Sequence, residues 1–61
     1  MTKKEITDKF VILRREMGTV PSMLEFIQNT DVTVDDLTEN FGPGSVMDAF
    51  ARMANSCSEQ W

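Results

Sequence analysis

Three aspartates come closest to a chemical site in this 61-residue chain. Asp31, Asp35 and Asp36 offer the carboxylate oxygens that hard cations prefer. Their spacing differs from that of a calcium-binding loop, and the glycine that such a loop needs is absent. Asp35 and Asp36 are neighbours, and on a helix they point about 100° apart, so they cannot act as a carboxylate pair in acid–base catalysis. We interpret both as partners of a helix N-terminus, and we predict no metal or cofactor site.

Other catalytic side chains are scarce. The chain has no histidine and no tyrosine, so a general base would have to be a carboxylate or a lysine. The single cysteine, Cys57, has no basic neighbour in the sequence that would activate its thiol. One cysteine without histidine also excludes an internal disulfide and a zinc site of cysteine and histidine. We therefore expect that the chain is not an enzyme.

Charge is distributed unevenly along the chain, whose net charge is −4. Five of the six basic residues lie within residues 1–17, whereas residues 18–61 hold seven of the ten acidic residues. The basic residues that could contact a phosphate backbone are Lys3, Lys4, Arg14 and Arg15. Interspersed carboxylates, including Glu5 as the i,i+4 partner of Lys9, favour a solvated helix face instead. Because phosphate neutralisation supplies most nucleic-acid affinity, this charge balance disfavours nucleic acid as the partner.

Sequence patterns typical of helix N-termini predict the helices that position these side chains. A serine or threonine followed three residues later by an acidic residue is typical of a capping box, and it occurs four times. The four pairs are Thr2 with Glu5, Ser22 with Glu25, Thr33 with Asp36, and Ser45 with Asp48. The sequence predicts helices over residues 3–17, 23 to 28 or 29, 34–41 and 46–54. We predict an all-α fold, a compact helix-turn-helix-like bundle of four short helices over residues 1–55, followed by a polar C-terminal tail over residues 56–61.

Helical periodicity predicts which apolar side chains form the core. The predicted core positions are Ile6, Phe10, Leu13 and Met17 in the first helix, Leu24 and Ile27 in the second, Val34, Leu37 and Phe41 in the third, and Val46, Phe50 and Met53 in the fourth. We place Phe26 at the margin of this core, and Ala49 at a close approach between helices. The apolar residues left over are Val11, Ile12, Met23, Met47 and Trp61. No apolar run is long enough for a membrane span, and the N-terminus lacks a signal-peptide pattern, so we expect a cytoplasmic protein.

Short motifs between residues 6 and 54 carry a family resemblance. They are Glu16-Met17-Gly18-Thr19-Val20-Pro21-Ser22, Glu25-Phe26, Asn40-Phe41-Gly42 and Ser45-Val46-Met47-Asp48-Ala49-Phe50. With these motifs the chain resembles the small helical repeat found alongside HNH homing endonucleases, the homing endonuclease associated repeat. The resemblance implies a helix-turn-helix-like fold in which the third helix contacts DNA.

The chain departs from that family in three respects. Pro43-Gly44 is inserted before Ser45, and Val46 stands where the family has tryptophan. The third helix carries Asp35, Asp36 and Glu39 where the family tends to carry arginine or lysine. Carboxylates facing phosphates repel them, so the resemblance carries over the fold and not the DNA-binding residues.

The function that this sequence favours is non-catalytic binding. We expect a small acidic regulator or inhibitor of a larger protein, for example a component of nucleic-acid machinery, in the manner of small phage accessory proteins that act in the host cytoplasm. The residues proposed to contact that protein are Asp35, Asp36, Glu39, Met23, Met47 and Trp61. The alternatives are a DNA-binding transcriptional regulator that uses Lys3, Lys4, Arg14 and Arg15, and a repeat with a structural or homodimerising role.

Overall fold

The chain forms four α-helices in a computed structural model that describes residues 1–57. These are α1 over Lys3–Met17, α2 over Met23–Asn29, α3 over Val34–Phe41 and α4 over Val46–Ser56. The described residues include no β-strand. The predicted all-α class is confirmed, and each helix begins at the residue that its cap predicts. Only α4 differs in length, because it extends past Ala54 to Ser56.

The helix starts are fixed by side-chain caps, as the sequence indicates. Three of the four capping boxes are complete; in the first, the Thr2 N–H donates to Glu5 Oε1 at 3.1 Å and the Glu5 N–H donates to Thr2 Oγ1 at 3.2 Å. The fourth is half-formed. The Ser45 hydroxyl accepts from the Asp48 N–H at 3.2 Å, but within residues 1–57 the Asp48 carboxylate returns no bond to the Ser45 N–H. The prediction of a full box at this start is wrong.

Removing one cap tests its contribution to stability. We expect Ser22→Ala to lower the free energy of unfolding by about 1 kcal/mol. The variant removes the hydroxyl that accepts from the Glu25 N–H, and it weakens the box in which the Ser22 N–H donates to the Glu25 carboxylate. Ser45→Ala removes a single cap bond and should cost less. Urea denaturation followed by circular dichroism measures both. Equal midpoints for the wild type and Ser22→Ala would contradict the role of the cap.

Three carboxylates make the stability of the fold depend on pH in the acidic range. The Ser22 N–H, then the Ser22 hydroxyl, lower the pKa of Glu25. The Thr33 N–H, then the Thr33 hydroxyl, lower the pKa of Asp36, and a hydrogen bond from the Lys9 ammonium lowers the pKa of Asp31. A pKa lowered by folding stabilises the native state above the unfolded pKa, and this stabilisation is lost as the pH falls through the folded pKa.

We therefore expect the urea midpoint to fall as the pH drops below about 5. Asp36→Asn should flatten part of that decline, because the variant has no carboxylate to protonate at the start of α3. Denaturation at a series of pH values provides the measurement. A midpoint that stays constant down to about pH 3 would contradict the stabilising role of these three carboxylates.

The α3–α4 connection is held by the one basic residue outside the first helix. Arg52 Nη1 donates to the Phe41 carbonyl at 2.9 Å and to the Pro43 carbonyl at 2.6 Å. At Gly42 a Cβ atom would lie 2.4 Å from the Thr38 carbonyl oxygen, so only glycine fits this close approach. These contacts order the turn, and α3 and α4 are the most extensively packed pair of helices.

Three phenylalanines from three helices meet in the core, where Phe10 and Phe26 are fully buried and Phe50 is half-buried. Phe10 of α1 meets Phe26 of α2 edge to face, with ring centroids 5.5 Å apart, and meets Phe50 of α4 in the same way at 5.7 Å. Such edge-to-face pairs add to the stabilisation that burial alone provides. The fully or nearly fully buried residues around them are Ile6, Val11, Leu13, Pro21, Val32, Leu37, Ala49, Met53 and Cys57.

The register of α2 corrects the predicted core. Phe26 is fully buried, whereas Leu24, predicted to face inward, is 61% exposed and Ile27 is half-buried. Leu24 and Phe26 are two residues apart and point about 200° apart on a helix, so they cannot both be buried. The larger ring takes the inner position because Phe10 and Phe50 contact it there.

Core predictions in the other helices also differ from the structure. Met17 and Val34 are exposed, and Phe41, Val46 and Phe50 are half-buried, whereas Val11, which is not among the predicted core positions, is buried. Helix α1 packs against the three other helices, which widens its buried face beyond a single stripe.

The end of the folded region also lies later than predicted. Ser56 is the last residue of α4, and Cys57 is fully buried, with its thiol 3.9 Å from the Thr7 carbonyl of α1. Burial raises the pKa of the Cys57 thiol, which opposes formation of the reactive thiolate. These two residues therefore belong to the helical packing and not to the predicted tail at 56–61. Trp61 lies outside the described residues.

Candidate protein-interaction surface

The basic residues at the N-terminal end of α1 are engaged in contacts within the chain. Lys4 Nζ lies 3.0 Å from Asp8 Oδ2, and Lys3 Nζ lies 5.8 Å from the centre of the Phe41 ring. Both are exposed interactions, each of which contributes modestly to stability. The side chains that the DNA-binding alternative needs therefore already have partners at this end of the helix.

Lys9 has a partner that the sequence did not indicate. Its ammonium lies 2.9 Å from Asp31 Oδ1, at the end of α2, and not beside Glu5. The Glu5 carboxylate is instead occupied by the Thr2 N–H in the first capping box. The predicted Glu5–Lys9 pair is wrong, because the cap at Thr2 engages the same carboxylate.

The two remaining basic residues of α1 lie in its last turn. Arg14 is half-buried, and Arg15 is exposed. The Arg15 guanidinium makes no hydrogen bond or ion pair within residues 1–57. The four residues of the DNA-binding alternative thus differ in their surroundings, and Arg15 alone combines exposure with the absence of a partner among the described residues.

The acidic residues of α3 divide into one that caps the helix and two that do not. Asp36 Oδ2 accepts from the Thr33 N–H at 3.0 Å and from the Thr33 hydroxyl at 3.0 Å. Asp35 and Glu39 are exposed, and their carboxylates make no hydrogen bond or ion pair with any residue of the described chain. They lie four residues apart, so they share one face of α3 and repel each other there.

Exposed apolar side chains accompany these two carboxylates on the same helical pair. Met47, in the first turn of α4, is 60% exposed, and Val34, the first residue of α3, is 44% exposed. Asp48 follows Met47, and its carboxylate has no partner within residues 1–57. We call the exposed residues Val34, Asp35, Glu39, Met47 and Asp48 the α3–α4 surface.

The predicted contact residues differ in exposure. Asp35, Glu39 and Met47 belong to the α3–α4 surface, whereas Asp36 is engaged in its cap and Met23 is half-buried at the start of α2. The sequence missed two members of the surface. The sequence pattern places Asp48 in a capping box, of which only one bond forms, and it places Val34 in the core.

Other kinds of site are not apparent in the described region. Within residues 1–57, no group of three or more acidic or cysteine side chains is arranged to hold a metal ion. None of the helices in that range has the length and apolar character to cross a bilayer. Comparison with protein-family models, curated proteins and solved structures gave no match. The resemblance to the homing endonuclease associated repeat therefore stays a prediction based on short motifs.

Proposed function

We propose that this chain is a small, non-catalytic, cytoplasmic regulatory or inhibitory protein that binds a larger protein partner through the α3–α4 surface. The observation that supports the proposal is a contrast in how the charges are used. Most basic side chains make contacts within the chain, whereas Asp35, Glu39 and Asp48 have no partner within residues 1–57. These three carboxylates are therefore free to meet a second molecule, whereas most of the basic side chains would first have to leave a contact within the chain.

The partner that fits this surface has a basic patch with an apolar contact next to it. Complementary charge guides association and excludes wrong partners, and it adds less to affinity than a buried apolar contact. Met47 supplies that contact, since methionine adapts to the shape of a partner surface. A protein that itself binds nucleic acid carries such a basic patch, and occupying the patch would inhibit it.

A titration with duplex DNA distinguishes the proposed function from the DNA-binding alternative. We expect binding at physiological salt to be weaker than the roughly 10⁻⁴–10⁻⁶ M of ordinary non-specific binders, because few cations are available to displace counterions. Fluorescence anisotropy at two salt concentrations measures it.

The same titration would support DNA binding by a different result. It is micromolar affinity that weakens steeply with salt and is lost in the double variant Lys4→Ala, Arg15→Ala. Both side chains are exposed, so replacing them leaves the helix packing unchanged.

A further inference from the structure

A groove of about 230 Å³ lies between α1 and the segment that ends α2. Its α1 wall consists of Lys9, Ile12, Leu13 and Glu16, which follow the i, i+3, i+4, i+7 spacing of one helix face. These positions extend over about 10 Å of the helix. The volume is below the roughly 300–1,000 Å³ of sites for whole small molecules, so the groove suits a single side chain.

The two ends of the groove differ in charge. At one end the Lys9 ammonium and the Asp31 carboxylate neutralise each other at 2.9 Å. At the other end Glu16 is exposed, and its carboxylate has no hydrogen bond or ion pair within residues 1–57. The residues three and four positions away from Glu16 are Ile12, Leu13, Thr19 and Val20, none of them basic. The groove thus carries one uncompensated negative charge.

Helix stability does not explain the presence of Glu16. It is the last residue but one of α1, where the negative end of the helix dipole disfavours a carboxylate. The preceding Arg14 and Arg15 have the charge that this position favours. Glu16 therefore weakens the helix and makes no hydrogen bond or ion pair within residues 1–57, which leaves its carboxylate open to a ligand.

The rest of the groove complements a long cationic side chain. Ile12, 54% exposed, and Leu13 provide an apolar strip between the two charged ends. Across the groove, Asn29 Nδ2 donates to the Glu25 carbonyl at 2.8 Å, which leaves the side-chain oxygen of Asn29 as an acceptor. The groove therefore offers an apolar floor, a carboxylate and an amide oxygen.

We propose that this groove binds one arginine side chain of the partner protein. The aliphatic part of the arginine lies along Ile12 and Leu13, and its guanidinium donates to Glu16 and to Asn29. Arginine fits better than lysine because its planar head presents several donors and is more weakly hydrated. The inference rests on the proposed function, which supplies a protein partner with a basic surface.

The test uses the isolated chain and a defined probe. ¹⁵N-labelled protein is titrated with N-acetyl-arginine amide, and with N-acetyl-norleucine amide as a probe of similar length without charge. We expect saturable shifts of the amide signals of Ile12, Glu16 and Asn29 with the arginine probe, with a dissociation constant on the order of millimolar for so small a ligand. The norleucine probe should produce shifts that do not saturate.

Two matched variants separate this groove from the α3–α4 surface. Glu16→Lys should abolish the saturable shifts and raise the unfolding midpoint, since it removes a carboxylate from the C-terminal end of α1. Glu39→Lys makes the same charge change on α3 and should leave the shifts intact. The proposal is overturned by the absence of saturation, by shifts centred on Asp35 and Glu39, or by an unchanged titration in Glu16→Lys. No partner protein is present, so failure here is distinguishable from failure of the proposed function.

Discussion

Replacing Phe26 by alanine is expected to remove most of the stability of this domain, whereas replacing Leu24 by alanine is expected to leave it nearly unchanged. Phe26 is fully buried between the rings of Phe10 and Phe50. Truncating such a ring costs roughly 3–5 kcal/mol. A domain of this length has on the order of 3–9 kcal/mol in total. Leu24 is 61% exposed, and substitutions at such positions usually change stability by less than about 0.5 kcal/mol.

Urea denaturation followed by circular dichroism measures both variants. If Phe26→Ala does not fold, Phe26→Leu keeps most of the apolar volume and should show a reduced but measurable midpoint. A larger loss in Leu24→Ala than in Phe26→Leu would show that α2 packs with the other register, the one that the sequence predicted.

The helices were predictable because their boundaries depend on local chemistry. Ser22 and Thr33 cap the helices that follow them through bonds to residues three positions away, and Gly18 ends α1 with a left-handed φ of 74°. All of this is encoded within a few neighbouring residues.

The packing of α2 was not predictable in the same way. This helix has seven residues, about two turns, which is too short for periodicity to distinguish a buried Leu24 from a buried Phe26. The choice depends on Phe10 and Phe50, which reach this position only in the folded structure. The Lys9–Asp31 pair likewise joins residues far apart in the sequence, and no helix spacing predicts it.

The α3–α4 surface likewise has a part that the sequence predicts and a part that it does not. The exposure of Asp35 and Glu39 follows from the helical pattern of α3. Their lack of partners does not, because it depends on Lys3, Lys9 and Arg52 having contacts elsewhere in the fold.

Charge reversal on α3 is expected to have the largest effect on function. The double variant Asp35→Lys, Glu39→Lys replaces two carboxylates without partners by ammonium groups facing a basic partner. Like charges brought together at an interface cost several kcal/mol, so affinity should fall on the order of a hundredfold. The fold should persist because Asp36 still caps α3, and a lysine in place of Asp35 in the first turn should lower the stability only modestly. Circular dichroism checks that the helices are retained.

A second double variant controls for charge change as such. Lys4→Glu with Arg15→Glu also reverses two exposed charges, both of them on α1 and neither a member of the α3–α4 surface. It should bind the partner at least as tightly as the wild type, because the chain becomes more acidic. The neutral pair Asp35→Asn, Glu39→Gln should fall between the wild type and the α3 reversal.

The most direct test is the affinity of these variants for the partner itself. The partner is isolated on the immobilised wild-type chain from native cell extract, identified by mass spectrometry and produced separately, and its dissociation constants are measured by calorimetry. The proposed function predicts that binding is lost on reversal of Asp35 and Glu39 and kept on reversal of Lys4 and Arg15. Equal affinity in the wild type and the α3 reversal, or loss of binding in the α1 reversal alone, would contradict it.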